Sequence, residues 1–265
     1  MGQIQHKFIE VQGLKLHVAE IGSGPNVVVF LHGFSEMWYS WWHQMVAVVE
    51  AGYCAPAPDY RGYRLFDPPL KPEKASFGGL CDGPSDGARG AGMAMHSRLG
   101  PRMNLDGQKL ILGALMLKQS CAIYILFSRS ELPIAAENQE IMDIVDPSTP
   151  LSSWFTEGDL EEYSSLYQKS GFHNTSNDIV LYAWSFKEDM GITDFIIEVP
   201  ALLVVGGKNY VVKFPGIKEY IRSGKVKDFV PRLEIVFSPE GMHFMQEQSL
   251  GEVTQLIIKL LKKHI

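Results

Sequence analysis

Cysteine is scarce: the 265 residues hold three, Cys54, Cys81 and Cys121. An odd number at wide spacing gives neither a disulfide framework nor the ligand spacing of a metal cage, so a reducing compartment is expected. Charge is also modest. Asp, Glu, Lys and Arg make up 20% of the chain and the formal net charge is −6, so nothing draws the whole surface to nucleic acid or anionic lipid. There is no basic arm, no zinc-finger spacing and no RNA-binding aromatic signature. No apolar run is long enough to span a bilayer. The first residues, MGQIQHKFIE, lack the apolar stretch of a secretory leader, Gly2 lacks the following Ser or Thr of a myristoylation signal, and the final KKHI is no peroxisomal tripeptide. The expectation is a cytoplasmic protein with no membrane span and no nucleic-acid partner.

What is present suits one α/β domain with a large core and a modest insertion, since 46% of the residues are hydrophobic. His6 to Val11 and Leu14 to Ile21 alternate apolar and polar residues around Gly13, which predicts an antiparallel hairpin. Asn26 to Leu31 (NVVVFL) reads as a strand buried on both faces. Trp38 to Ala51 has apolar residues at helical spacing with Gly52 as its stop, and Cys54 to Ala57 is a second short strand ending at Asp59. Toward the other end, Ala201 to Val205 and Leu233 to Phe237 read as strands separated by a short helix over Phe214 to Ser223. Ser249 to His264 closes the chain as an amphipathic helix with Val253, Leu256, Ile257, Leu260 and Leu261 on one face. Both ends predict an open, mostly parallel sheet with helices outside. Between them, Ile123 to Phe186 has no strand–helix rhythm and suits a helical lid. Residues 78 to 122 are dense in Gly and Met, and only Lys109 to Leu117 (KLILGALML) could form a strand or buried helix there.

His32-Gly33-Phe34 directly follows the NVVVFL strand, a place where a tight turn can offer a backbone N–H to a developing oxyanion. The full run FLHGFSEMWYSWWHQM (Phe30 to Met45), with PAPDYRGY (Pro56 to Tyr63) and LFDPP (Leu65 to Pro69), resembles plant-type soluble epoxide hydrolases of the α/β-hydrolase superfamily. The lid run from Ile123 to Leu160 is also similar to that family. The resemblance covers residues 1 to 77 and 123 to 265. It implies an α/β-hydrolase fold with a mostly parallel sheet and an inserted helical lid. The division it suggests is an N-terminal part of the core over 1–122, a lid over 123–195 and a C-terminal part of the core over 196–265. The implied substrate is a small apolar epoxide, hydrated to a vicinal diol without metal or organic cofactor. Phe34, His32, Gly33 and Trp38 would form the oxyanion and substrate-binding side. A homodimer is admitted as the assembly.

His243, in SPEGMHFMQEQ after the last strand, stands where such enzymes place the catalytic base. The acid should follow the Ala201 to Val205 strand, and the family's Asp is Asn209 here. An amide can hold the imidazole but does not stabilise an imidazolium, and it admits the wrong tautomer. The family's nucleophile is an Asp in a pattern like G-x-D-x-G-A-R. The nearest text is Ser85-Asp86-Gly87-Ala88-Arg89, which makes Asp86 the candidate. It follows Ser76-Phe77 without room for the helix and strand that the family places there, and Gly83-Pro84 is not a central strand. The same stretch matches G-x-S-x-G literally, which leaves Ser85 as an esterase nucleophile among the readings. Tyr182 falls near the family's epoxide-protonating lid tyrosine, whereas Tyr163 and Tyr167 read as helix-face residues. The abrupt change of texture at both borders of 78–122 fits a shifted reading frame or an aberrant splice. Its physical consequence would be central strands missing or replaced, leaving two half-sheets with unpaired inner edges, poor solubility and weak or no turnover. A catalytically inactive relic that binds ligands in the lid pocket is therefore the alternative to an active enzyme.

Overall fold

A computed structural model describes residues 3–11, 14–33, 36–59, 122, 124–125, 128–129, 145–146, 148–170 and 196–264. Phe34, Asp86, Ser85, Tyr182 and the whole of 60–121 lie outside the described residues.

The predicted hairpin forms. Strand β1 (Gln5–Val11) pairs antiparallel with β2 (Leu14–Ile21), from Gln5 opposite Glu20 to Val11 opposite Leu14. On its other edge β2 pairs antiparallel with β3 (Ala55–Pro58). With neighbours on both sides, His17, Val18 and Ala19 of β2 are all buried.

The NVVVFL run differs from its reading as a regular strand. It runs parallel to β3, with Cys54 N–H donating to Asn26 O at 2.8 Å, Val28 N–H to Cys54 O at 2.8 Å and Phe30 N–H to Pro56 O at 2.9 Å. Only Val27 opposite Cys54 forms a formal bridge. The cause is in β3. Residues 56 and 58 face this edge, and a regular parallel ladder would continue through their N–H groups to the carbonyls of Val28 and Phe30. Both are proline and have no N–H to give. Val27 and Val29 remain 53% and 54% exposed instead of buried on both faces.

The predicted first helix opens with a 3₁₀ turn (Trp38–Trp41) that runs directly into α1 (Trp42–Glu50). Helix α2 (Glu157–Ser170) falls within the expected lid stretch. Its start is a capping box: Asp159 N–H donates to Thr156 Oγ1 at 3.1 Å while Thr156 N–H donates back to Asp159 Oδ2 at 2.9 Å. Tyr39 ties this start to the N-terminal part, its hydroxyl donating to Asp159 Oδ1 at 3.0 Å.

In the C-terminal part β4 (Ala201–Gly206) and β5 (Leu233–Ser238) form a parallel pair, Ala201 opposite Leu233 through Gly206 opposite Ser238. The expected helix between them is shorter, α3 (Ile217–Arg222), preceded by a 3₁₀ turn over Tyr210–Lys213. One turn, α4 (Met245–Gln248), leads to α5 (Leu250–His264). Val253 of α5 is buried, and its Ile257, Ile258 and Leu261 pack against the core that α1 also covers.

Among the described residues the two sheets share no ladder. Among the described residues, side-chain packing connects them. One cluster contains Ala19, Phe30, Met45 and Val48 of the N-terminal part, Leu160, Tyr163, Leu166 and Tyr167 of α2, and Tyr210 and Phe244 of the C-terminal part. Tyr163 and Tyr167, read from sequence as helix-face residues, are fully buried in it. β4 buries only its C-terminal end, Val205 and Gly206, while Val199 just before it is 64% exposed.

Candidate active site

The loops that leave β4 and β5 meet because glycine lets them touch. A Cβ on Gly206 would lie 2.5 Å from the carbonyl oxygens of both Gly241 and Met242, and one on Gly207 would lie 2.6 Å from Pro239 O. Two cross-loop bonds fix the approach: Gly207 N–H donates to Ser238 O and Lys208 N–H to Gly241 O, each at 2.8 Å. Met242 N–H donates to Gln248 Oε1 at 2.7 Å and holds the second loop from below. Asn209 and His243 are thereby delivered to the carboxyl ends of two parallel strands, where open α/β sheets place their ligands.

The structure brings these two residues together. His243 Nδ1 lies 3.3 Å from Asn209 Oδ1, and the same oxygen accepts Val211 N–H at 3.0 Å. On the other side of the ring, His243 Nε2 lies 3.3 Å from the Tyr210 hydroxyl, and the two rings, tilted by 32°, have centroids 4.7 Å apart. Phe244 meets the imidazole edge-on at 5.1 Å. Burial pushes the His243 pKa down to about 4, so the ring is neutral at neutral pH. Sequence reading missed Tyr210, although it directly follows Asn209.

The HG turn lies across the same core. Gly33 N–H donates to Glu36 Oε2 at 3.0 Å, and His32 Nδ1–H donates to Gly33 O at 2.9 Å. Phe34, the expected oxyanion donor, lies outside the described residues. Trp38 is buried, its ring edge-on to His6 at 5.1 Å and to Tyr39 at 5.7 Å. Its backbone N–H donates to Asp59 Oδ1 at 2.8 Å. Asp59 Oδ2 accepts His17 Nδ1–H at 2.8 Å, and His32 Nε2 stands 3.7 Å from Oδ1. One fully buried carboxylate therefore joins β2, the HG turn and the start of the first helix. Burial lowers the His32 pKa against the opposing pull of Asp59 and the Gly33 carbonyl.

Two further carboxyls were not singled out from the sequence. Glu36 is bonded to Gln246, whose Nε2 donates to Oε1. Glu247 accepts the Tyr124 hydroxyl at 3.3 Å on Oε1 and the Tyr163 hydroxyl at 3.2 Å on Oε2. Burial, opposed in part by these bonds, raises the Glu36 pKa to about 7. Burial and the charge of Glu36 raise Glu247 well above the ordinary carboxyl range. Glu36 belongs to the N-terminal part, Glu247 to the C-terminal part and Tyr163 to α2, so the cluster joins all three. The signal was available: Glu36 sits in the HGFSE run and Glu247 in HFMQEQ. Among the described residues no group of His, Cys, Asp and Glu could hold a metal ion, and no helix is long and apolar enough to cross a membrane.

The chain is similar over nearly its whole length to plant proteins. It is 31% identical to epoxide hydrolase 1 of Siraitia grosvenorii, covering 99% of this chain and 100% of that one. That alignment runs over 317 residues although this chain has 265, so the relative carries a stretch without a counterpart here. The structure of potato (Solanum tuberosum) epoxide hydrolase I superposes with a TM-score of 0.78 at 27% identity, covering 98% of this chain and 100% of that one. An epoxide hydrolase from Vigna radiata superposes with a TM-score of 0.79 at 26% identity, covering 98% of each chain. No protein-family model matches the chain.

Proposed function

Because this chain belongs to the epoxide hydrolases of the α/β-hydrolase fold, we propose that it acts on a small apolar epoxide and that His243 is its general base. Hydration then proceeds in two halves. A carboxylate attacks one epoxide carbon and forms an ester, while a tyrosine hydroxyl donates its proton to the departing oxygen. His243 next takes a proton from water and the hydroxide attacks the ester carbonyl; the diol leaves with the hydroxide's remaining proton as the carboxylate is regenerated, and the His243 imidazolium returns its proton to the tyrosinate. Phe34 N–H would hold the oxyanion, with His32, Gly33 and Trp38 shaping that side. Asp86 is the proposed nucleophile, Tyr182 the proposed proton donor and Asn209 the residue that orients the base. The lid is proposed to span 123–195, between core parts over 1–122 and 196–265, in a cytoplasmic protein.

The observation that carries this reading is a neutral imidazole in the loop after β5, held through Nδ1 by Asn209 in the loop after β4. The amide at 209 supports a slow second half-reaction, because it orients the ring without stabilising its cation. Styrene oxide turnover by wild type, His243→Ala and Asp86→Asn tests the assignment. Expected is loss of turnover in both variants and, in His243→Ala, an ester intermediate visible as added mass on the protein. Turnover that survives His243→Ala refutes it.

A second reading is a ligand-binding relic, favoured by Asn209 at the acid position and by the aromatic side chains that fill the space beside His243. Binding of an apolar epoxide without turnover or ester formation would establish it. Cleavage of a p-nitrophenyl ester that Ser85→Ala abolishes would instead establish a serine esterase.

A further inference from the structure

We propose that Tyr210 is a positioning residue which, together with the Val211-oriented amide of Asn209, locks His243 in its Nδ1–H tautomer. The inference deepens the hydrolase reading and rests on His243 being the base. An asparagine beside a histidine is ordinarily ambiguous, since its oxygen selects one tautomer and its nitrogen the other. Here the ambiguity is removed from both sides of the ring.

The first constraint is the backbone. Val211 N–H can only donate, so the Asn209 atom 3.0 Å from it is the carbonyl oxygen. That same oxygen faces His243 Nδ1 at 3.3 Å, so Nδ1 carries the hydrogen. The second constraint is the phenol. In the neutral ring Nε2 is then a bare lone pair, and the Tyr210 hydroxyl 3.3 Å away donates to it. Tyr210 is 4% exposed and its ring, tilted 32° to the imidazole, has its centroid 4.7 Å from that of His243, so packing keeps the phenol beside Nε2 in the resting site. Burial and the nearby Glu36 push the phenol pKa upward, which keeps the donor protonated.

The lock fixes the tautomer a general base needs, with the Nε2 lone pair directed away from residue 209. A water that replaces the phenol during ester hydrolysis also donates to Nε2 and leaves the tautomer unchanged. The orienting half of an acid's role is thus supplied by a helix-capping amide and a phenol. The charge-stabilising half is not.

Long-range ¹H–¹⁵N correlation spectra of ¹⁵N-histidine-labelled full-length protein at pH 7 test this, with His243→Ala identifying the resonance. Wild type is expected to show the Nδ1–H tautomer. Tyr210→Phe keeps the ring beside the imidazole and removes one hydrogen bond, so the tautomer ratio shifts about tenfold toward Nε2–H, equivalent to about 1.4 kcal/mol. Asn209→Asp in the Tyr210→Phe background restores Nδ1–H, because a carboxylate only accepts. An Nε2–H signal in wild type overturns the proposal without any variant, as does an unchanged ratio in Tyr210→Phe. Styrene oxide turnover is measured on the same samples. A locked tautomer without turnover refutes the hydrolase reading and leaves the tautomer assignment standing.

Discussion

Asn209→Asp converts the orienting amide into an acid at the place where the geometry already accepts one. Aspartate caps a helical turn as well as asparagine does, so the bond from Val211 N–H at 3.0 Å is retained. The new charge would lie 3.3 Å from His243 Nδ1. At an effective dielectric of about 20, a unit pair at that distance interacts by about 5 kcal/mol, an upper bound of about 3.7 pKa units on the imidazole. Part is lost to desolvating the half-buried carboxylate, so the His243 pKa is expected to rise by about 2 units from its value of about 4. Charge stabilisation of the imidazolium should accelerate ester hydrolysis by about 10³ to 10⁴, by analogy with the aspartate-to-asparagine change of a serine protease triad. The assay is the single-turnover decay of the ester formed from styrene oxide, with histidine NMR titrated in parallel. The reasoning is refuted if the His243 pKa rises as expected and the decay rate changes by less than about tenfold.

Glu36 predicts a pH-dependent stability. Its folded pKa is raised from 4.5 to about 7. Its favourable contribution is therefore complete below pH 4.5 and lost as pH rises through about 7, about 3 kcal/mol in all. In Glu36→Gln this alkaline loss should disappear, so its Tm should gain on wild type across that window; parallel Tm–pH curves would contradict the assignment. His243 acts oppositely: its pKa falls from 6.5 to about 4, so stability is lost as pH falls through that range. Asp59→Asn should destabilise by about 3 to 5 kcal/mol, because it removes a buried carboxylate that accepts from both Trp38 N–H and His17 Nδ1–H, and an amide keeping its oxygen on Trp38 N–H forces His17 into its other tautomer beside His6. A denaturant midpoint unchanged with the same slope would refute that. Gly206→Ala should part the loops carrying Asn209 and His243, since its Cβ would meet two carbonyl oxygens at 2.5 Å. Retained His243–Asn209 coupling in a double-mutant cycle of turnover or His243 pKa would count against it. Transcript sequencing tests the shifted-frame account of 78–122: an intact message encoding this interval, maintained by selection, would reject it.

The expected loss of central strands falls on 78–122, outside the described residues. A sharp cooperative thermal transition would argue against the poor solubility expected from it. Among the described residues, the aromatic cluster around Tyr163, Tyr167 and Phe244 gives the two sheets a common core without a common ladder.

Local chemistry was legible in the chain itself. Alternation gave the β1–β2 hairpin, and the residue expected to hold the imidazole after β4 and the histidine after β5 were read as partners, as Asn209 and His243 are. The hairpin depends on residues near one another in sequence, where periodicity and turn chemistry act directly. Even so, Pro56 and Pro58 were visible, and their effect on the neighbouring NVVVFL run was not read, because it requires knowing which edge of β3 that run occupies. Tertiary structure alone decided that Tyr210 faces His243, that Glu36 and Glu247 share one buried cluster with Tyr124 and Tyr163, and that Asp59 accepts from His17. Each of these is a polar contact forced by burial. A carboxyl or phenol shut away from water must find its partner among whatever the fold brings near, and sequence spacing does not encode that neighbour.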